Sequence, residues 1–104
     1  MKLINVLYPY DSDSYDYDDA DILLVPDFVH DHIEDVVQTF FDWTASTREH
    51  GYFVPDEKGG EVLAVGTDEF VKYLNDNYFQ SENQETVVVK AHTKYNAGYP
   101  SAEF

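Results

Sequence analysis

Carboxylates are the side chains that could give this chain its chemistry. They form a dense run of Asp, interleaved with Ser and Tyr, between residues 11 and 19, and a more widely spaced set between residues 27 and 42. Carboxylates in such numbers can ligate hard cations, transfer protons in catalysis or bind the Lys and Arg side chains of a partner, and neighbouring Tyr rings offer flat faces to Arg. The candidate residues are Asp11, Asp13, Tyr15, Asp16, Tyr17, Asp18 and Asp19 in the first set and Asp27, Asp31, Glu34, Asp35 and Asp42 in the second.

The spacing of these residues does not match a calcium or zinc site. In a calcium-binding loop that began at Asp11, the position of the required Gly would be Asp16 and that of the bidentate Glu would be Ile22. His30 and His32 would leave a helix on faces roughly 200° apart, so they could not converge on zinc. We therefore expect neither a metal ion nor another cofactor.

Catalysis is not indicated by these carboxylates either. A catalytic acid and base need environments that separate their pKa values, and a crowded run of surface Asp gives no sign of such environments. The chain has no cysteine, which excludes thiolate nucleophiles and disulfide bonds. We therefore expect a protein that is not an enzyme, although a small enzyme or metal-binding protein stays open as a third alternative.

The negative charge is concentrated at the beginning of the chain. Residues 1–42 contain eleven Asp and Glu and a single base, Lys2, so they carry 1 − 11 = −10 of the total charge of −15. Binding of nucleic acid itself is not expected, because it requires many Lys and Arg to replace the phosphate counterions and the chain has six. A field of one sign instead attracts a partner of the other sign, here a basic protein.

The spaced set of carboxylates falls on one face of a predicted helix. From residue 27 to about 45, apolar side chains recur every three or four residues on one face, and the carboxylates recur on the opposite face. A solvated helix face usually mixes signs, whereas no Lys or Arg occurs between Lys2 and Arg48. We interpret this face as a binding surface; the alternative is that it is only the solvated side of an amphipathic helix. For the charge of the chain as a whole, the alternative is a generally acidic, salt-adapted surface. The acidic ridge, as we name it, consists of Asp27, Asp31, Glu34, Asp35 and Asp42.

Hydrophobic patterning predicts the elements that position the ridge. It favours one α+β domain over residues 1–104, in which a small, mostly antiparallel sheet packs against two helices. Thr67 is predicted to cap the second helix. We expect Ile33, Val36, Val37 and Phe40 to pack against residues 3–7 and 87–89. The predicted strands cover residues 2–8, 22–25, 51–54, 61–65 and 86–93, the helices cover 27–45 and 67–79, and an exposed Asp/Tyr loop at 10–21 and an irregular tail at 96–104 complete the chain.

Two features of the sequence bear on its location in the cell. The apolar character of residues 1–8 is too brief for a signal peptide, and no later stretch approaches the roughly 18 apolar residues of a membrane span. We therefore expect no membrane association and a cytoplasmic location. The oligomeric state is not predicted.

Three segments of the chain carry a resemblance to known proteins. They are Val25-Pro26-Asp27 through Trp43, Gly51-Tyr52 and the segment from Gly66 to Asn75. In these segments the chain resembles small acidic proteins that are encoded by phages and mobile elements of Gram-positive bacteria. Some such proteins are nucleic-acid mimics that inhibit CRISPR effectors or restriction enzymes. The resemblance implies the same role here, in a bacterial host cell, and assigns no function to an individual residue.

Charge and resemblance together lead to one expected function and one alternative. We expect an inhibitor that blocks the basic DNA- or RNA-binding channel of a bacterial defence nuclease, and an anti-CRISPR protein is the most specific form of this hypothesis. The alternative is another acidic interaction module, such as an immunity protein that binds a basic toxin.

Overall fold

The computed structural model describes residues 1–7, 20–79 and 84–104 of the chain. Most of the Asp/Tyr loop, residues 10–19, lies outside these ranges, and so do all seven candidate residues of the first carboxylate set. Within the described ranges the elements are, in chain order, β1 (Lys2–Leu7), β2 (Ala20–Val25), α1 (Asp27–Asp31), α2 (Ile33–Ser46), β3 (Phe53–Pro55), β4 (Glu61–Leu63), α3 (Thr67–Asn77), β5 (Val87–Thr93) and β6 (Ser101–Glu103).

A four-stranded sheet in the order β5-β2-β1-β6 forms the centre of the fold. β2 pairs antiparallel with β1 and β5, and β6 pairs parallel with β1. β3 and β4 form a separate antiparallel hairpin around the turn that contains Gly59, whose φ of 84° suits glycine. The predicted class, α+β with a mostly antiparallel sheet, is confirmed.

The first predicted helix is in fact two helices. Pro26 precedes α1, where its fixed φ suits a helix start. The backbone of His32, with φ of −126° and ψ of 36°, leaves the helical region and separates α1 from α2. Apolar spacing could not show this break, because Val29 before it and Ile33 after it are both buried.

The ring of Phe40 is the centre of the hydrophobic core. It is fully buried and contacts Phe70 and Tyr73 of α3, with ring centroids 5.3 and 5.0 Å apart, as well as Phe104, at 5.9 Å. The predicted inward face of α2 is confirmed, since the other apolar side chains of that face are buried or partly buried against the core. They are Ile33, Val36 and Val37.

The strand β5 lies at the edge of the sheet and outside the core. The core residues of the sheet come from β1, β2 and β6, whereas Val87, Val88 and Val89 are 41–54% exposed. The prediction that residues 87–89 pack against the first helix is therefore wrong. The register between β2 and β5 shifts twice, and His92 has a positive φ of 53° near one of these shifts.

The C-terminal residues are more regular than the sequence suggests. The tail at 96–104 was predicted to be irregular, but Ser101–Glu103 form β6 and Ala102 is fully buried. A buried amide holds this segment: Asn5 donates through Nδ2 to the carbonyl oxygens of Asn96 and Tyr99, at 2.9 and 3.1 Å, and accepts from the Asn96 N–H at 2.8 Å. These bonds hold in place the connection that leads from β5 to β6 at the opposite edge of the sheet.

A buried carboxylate joins β2, α3 and β5. Asp21, predicted to end the exposed loop, belongs to β2 and is 7% exposed, and Ala20 beside it is also buried. Its side chain accepts hydrogen bonds from the Thr67 hydroxyl and from the His92 N–H. Thr67 is thus not the helix cap; it is the first residue of α3, and the Glu69 carboxylate accepts the Gly66 N–H at 3.0 Å instead.

Truncation of Phe40 should cost the fold much of its stability. Phe40→Ala removes the ring that joins α2, α3 and the C-terminus, and the expected loss is about 3–5 kcal/mol of the free energy of unfolding, as for other buried phenylalanines. Phe28→Ala is the matched control, because Phe28 is 58% exposed and its loss should cost less than about 1 kcal/mol. Urea denaturation followed by circular dichroism measures both, and equal midpoints for the two variants would contradict this account of the core.

Candidate protein-binding surface

The acidic ridge lies on the outer side of α1 and α2. All five of its carboxylates are exposed, whereas Val29, Ile33, Val36 and Phe40, which lie between them in sequence, belong to the core. Phe28 is exposed as well. α1 carries the first two carboxylates and α2 the other three, so the break at His32 divides the ridge. The residues are Asp27 and Asp31 on α1 and Glu34, Asp35 and Asp42 on α2.

The beginning of the ridge has basic partners. The amino group of Met1 lies 2.8 Å from Asp27 Oδ1, and Lys2 Nζ lies 3.2 Å from Asp31 Oδ1. The absence of Lys and Arg between Lys2 and Arg48 therefore does not leave the α1 part of the ridge without basic partners. The cause is the strand register: Lys2 lies opposite Val25, two residues before α1 begins, so the start of β1 reaches the helix.

These contacts change the acidity of the two α1 carboxylates. A hydrogen bond from the amino terminus is the main cause that lowers the pKa of Asp27 below its usual value. The pKa of Asp31 is also lowered, first by the hydrogen bond with His30, whose Nδ1 lies 2.8 Å away, and then by the hydrogen bond from Lys2. Both groups therefore stay ionised to lower pH than an isolated Asp.

The part of the ridge on α2 is the part that can bind a partner without first losing an ion pair. Among the described residues, no Lys, Arg or His forms an ion pair with Glu34, Asp35 or Asp42. Asp42 accepts one hydrogen bond, from Gln38 Nε2 at 2.9 Å. Exposed carboxylates of this kind accept hydrogen bonds from ammonium and guanidinium groups.

A groove of about 810 Å³ runs between α2 and β6, beside the ridge. Glu34 lines it from the helix and Glu103 from the strand, and the apolar lining comes from Val37, Phe41 and Phe104. The rings of Phe41 and Phe104 meet edge to face at 5.5 Å. This arrangement combines apolar contact area with carboxylates from two different elements.

The sequence did not reveal this groove, because half of it comes from the tail that was predicted to be irregular. Ser101, Glu103 and Phe104 line it only because β6 pairs with β1. The sequence signal for β6 was the alternation of apolar and polar residues at its end. Ala102, which is buried in the structure, lies there between two more exposed neighbours. Three residues were too few to indicate a strand.

A metal centre and a membrane-spanning helix each have their own structural requirements. Over residues 1–7, 20–79 and 84–104, no three His, Asp or Glu side chains converge as ligands for a metal ion. In the same ranges, none of the helices combines the length and the apolar character that crossing a membrane requires.

The chain has no match among known proteins: no family model, no curated protein and no solved structure matches it. The resemblance to small acidic proteins of phages and mobile elements therefore stays an expectation from the sequence.

The ion pair between Lys2 and Asp31 can be tested by titration. Lys2→Gln should raise the pKa of Asp31 towards its usual value, because one of the two hydrogen bonds to the ionised carboxylate is lost. The folded pKa of Asp31 is depressed, so its stabilising contribution is present above the unfolded value near 3.8 and is lost as the pH falls through the folded pKa. NMR titration of the Asp31 carboxyl carbon measures the change. Lys2→Arg, which keeps the charge, is the control, and an identical Asp31 titration in wild type and Lys2→Gln would contradict the pairing.

Proposed function

We propose that this protein is an inhibitor without enzymatic activity that binds the basic nucleic-acid channel of a bacterial defence nuclease. Its most specific form is an anti-CRISPR protein that acts as a nucleic-acid mimic. The observation that carries the proposal is the row of exposed carboxylates on α1 and α2, a surface that packing on the core holds in place.

The spacing of the ridge supports mimicry of a nucleic-acid strand. Glu34 and Asp42 are eight residues apart on α2, which corresponds to about 12 Å of helix at roughly 1.5 Å per residue. The three carboxylates over this length give one charge per roughly 4 to 6 Å, compared with about 3.4 Å per phosphate along one DNA strand. Asp27 and Asp31 precede them on α1, where each already has a basic partner. The Lys and Arg side chains of a nucleic-acid channel would meet a similar row of hydrogen-bond acceptors on this ridge. The protein would then compete with nucleic acid for the channel without any chemical reaction.

Two observations favour a defence nuclease as the partner. The sequence resembles small acidic proteins of phages and mobile elements, some of which inhibit such nucleases. The chain also carries a charge of −15, and a field of this strength speeds the association with a basic channel.

One observation favours the second candidate, an immunity-type module that binds a basic toxin. The groove beside the ridge has an apolar lining of Val37, Phe41 and Phe104, which a polymer of phosphates would not require. A partner that inserts an apolar side chain between Glu34 and Glu103 would use both the charge and the apolar area.

Neutralising the α2 part of the ridge should weaken inhibition. The variant combines Glu34→Gln, Asp35→Asn and Asp42→Asn, and we expect at least a tenfold loss of affinity, about 1.4 kcal/mol, because three charge-assisted contacts are removed. The measurement is competition between the protein and fluorescent target DNA for purified CRISPR effectors and restriction enzymes, over a series of salt concentrations. Wild-type affinity should fall as salt rises, because steering between exposed charges is screened.

The matched control removes three carboxylates from other exposed positions. Glu57→Gln, Asp68→Asn and Glu85→Gln change the net charge by the same amount but leave the ridge intact. Equal losses in the two triple variants would show that net charge alone acts and would contradict a role for the ridge. Recovery of a basic toxin from a bacterial lysate, together with no binding to any nuclease, would favour the immunity-type module.

A further inference from the structure

A pocket of about 250 Å³ lies where the ends of α2 and α3 meet the segment that leads to β3. It is separate from the groove beside the ridge, because the two share no lining residue. Its lining combines aromatic and charged side chains. We name Trp43, His50, Tyr52 and Tyr73 its aromatic side and Glu49, Lys72 and Asp76 its charged side.

The aromatic side of this pocket is held by the core. Trp43 lies 5.2 Å from the ring of Tyr73 and 6.3 Å from the ring of Phe40, measured between centroids. Tyr73 is buried, and burial is the main cause that raises its pKa above the usual value. Trp43 is 37% exposed, so a rigidly supported indole presents part of its surface to solvent.

His50 completes the aromatic side as a neutral ring. Its Nε2 lies 2.9 Å from the carbonyl oxygen of Thr44, and its Nδ1 lies 2.9 Å from the backbone nitrogen of Tyr52. Both contacts are hydrogen bonds only if Nε2 donates and Nδ1 accepts, which is the neutral tautomer. The ring also stacks on Tyr52 at 4.5 Å and so orients the segment that closes the pocket.

The charged side of the pocket favours a cation. Glu49 and Asp76 contribute two carboxylates and Lys72 one ammonium group. The last turns of α2 and α3 contain no basic residue, and a helix C-terminus carries partial negative charge. The pocket therefore combines an indole face, on which cations bind well, with a net negative charge.

We propose that this pocket binds a guanidinium group, supplied by an arginine side chain of the basic partner. The source of the arginine rests on the proposed function, whereas the binding site rests only on the residues of this chain. A guanidinium is planar and can stack on Trp43 while its N–H groups reach the carboxylates of Glu49 and Asp76. A lysine ammonium lacks both the planar face and the forked donors, so it fits the lining less well.

The test uses this protein without any partner. Trp43 is the only tryptophan in the chain, so its indole N–H gives a single NMR signal that reports directly on the pocket. The probe is blocked arginine, Nα-acetyl-arginine methylamide, and we expect a saturable shift with a dissociation constant on the order of 1 mM. Blocked citrulline, which is neutral, should bind at least tenfold more weakly, and blocked lysine should also bind more weakly than the arginine probe.

Charge variants in the pocket make the assignment falsifiable without altering the core. Asp76→Asn should weaken binding of the arginine probe and Lys72→Gln should strengthen it, each by roughly two- to fivefold, the range for exposed ion pairs. Asp68→Asn on the same helix lies outside the pocket and should change nothing. An absent or unsaturable Trp43 shift, equal shifts with citrulline, or no response to the two pocket variants would each overturn the site.

Free arginine distinguishes the two sources of the guanidinium. Equal affinity for free and blocked arginine supports recognition of the side chain alone, as a partner protein would present it. Free arginine binding more than tenfold tighter would overturn that assignment in favour of a small-molecule site. These results do not depend on whether a nuclease is the partner, so failure of the pocket and failure of the proposed function are separate outcomes.

Discussion

The packing of one ring, Phe40, is the interaction on which the rest of the structure depends. It joins α2 to α3 through Phe70 and Tyr73 and reaches the C-terminal Phe104. The outer face of α2 carries three of the five carboxylates of the acidic ridge, and like charges on one helix face repel each other. Without its buried face, α2 would have little reason to remain helical. The core thus offsets the repulsion that the exposed carboxylates create.

The fold could be predicted from sequence where local periodicity carried the information. The buried face of α2, the strand β2 and the hairpin of β3 and β4 each follow from spacing or from a glycine-containing turn. The features that spacing missed depend on contacts between distant residues. Asn5 bonds to residue 96, 91 positions away, and Asp21 bonds to Thr67, 46 positions away. Such bonds place the crossover, β6 and the start of α3, and no local pattern encodes them.

The candidate surface was predictable only in part, for the same reason. Amphipathic spacing correctly placed the five ridge carboxylates on the solvent side of α1 and α2. The pairing of Lys2 with Asp31 depends on the register between β1 and β2, and the groove depends on β6. The pocket around Trp43 requires two helix ends and a connecting segment to meet. The distribution of charge along a sequence therefore locates a charged surface. The carboxylates that form ion pairs and the apolar groove beside them follow only from the tertiary structure.

The irregular register of β5 has a consequence for the behaviour of this protein at high concentration. Three adjacent exposed valines at a sheet edge would ordinarily invite the edge of another molecule, and stacked pairing of that kind leads to fibrils. The shifts between β2 and β5 and the positive φ of His92 distort the edge, and Lys90 would place a charge in any added ladder. A strand of another molecule can therefore pair with only a short regular stretch of β5. The same bulged strand that contributes so little to the core keeps an edge rich in valine from acting as a template for aggregation.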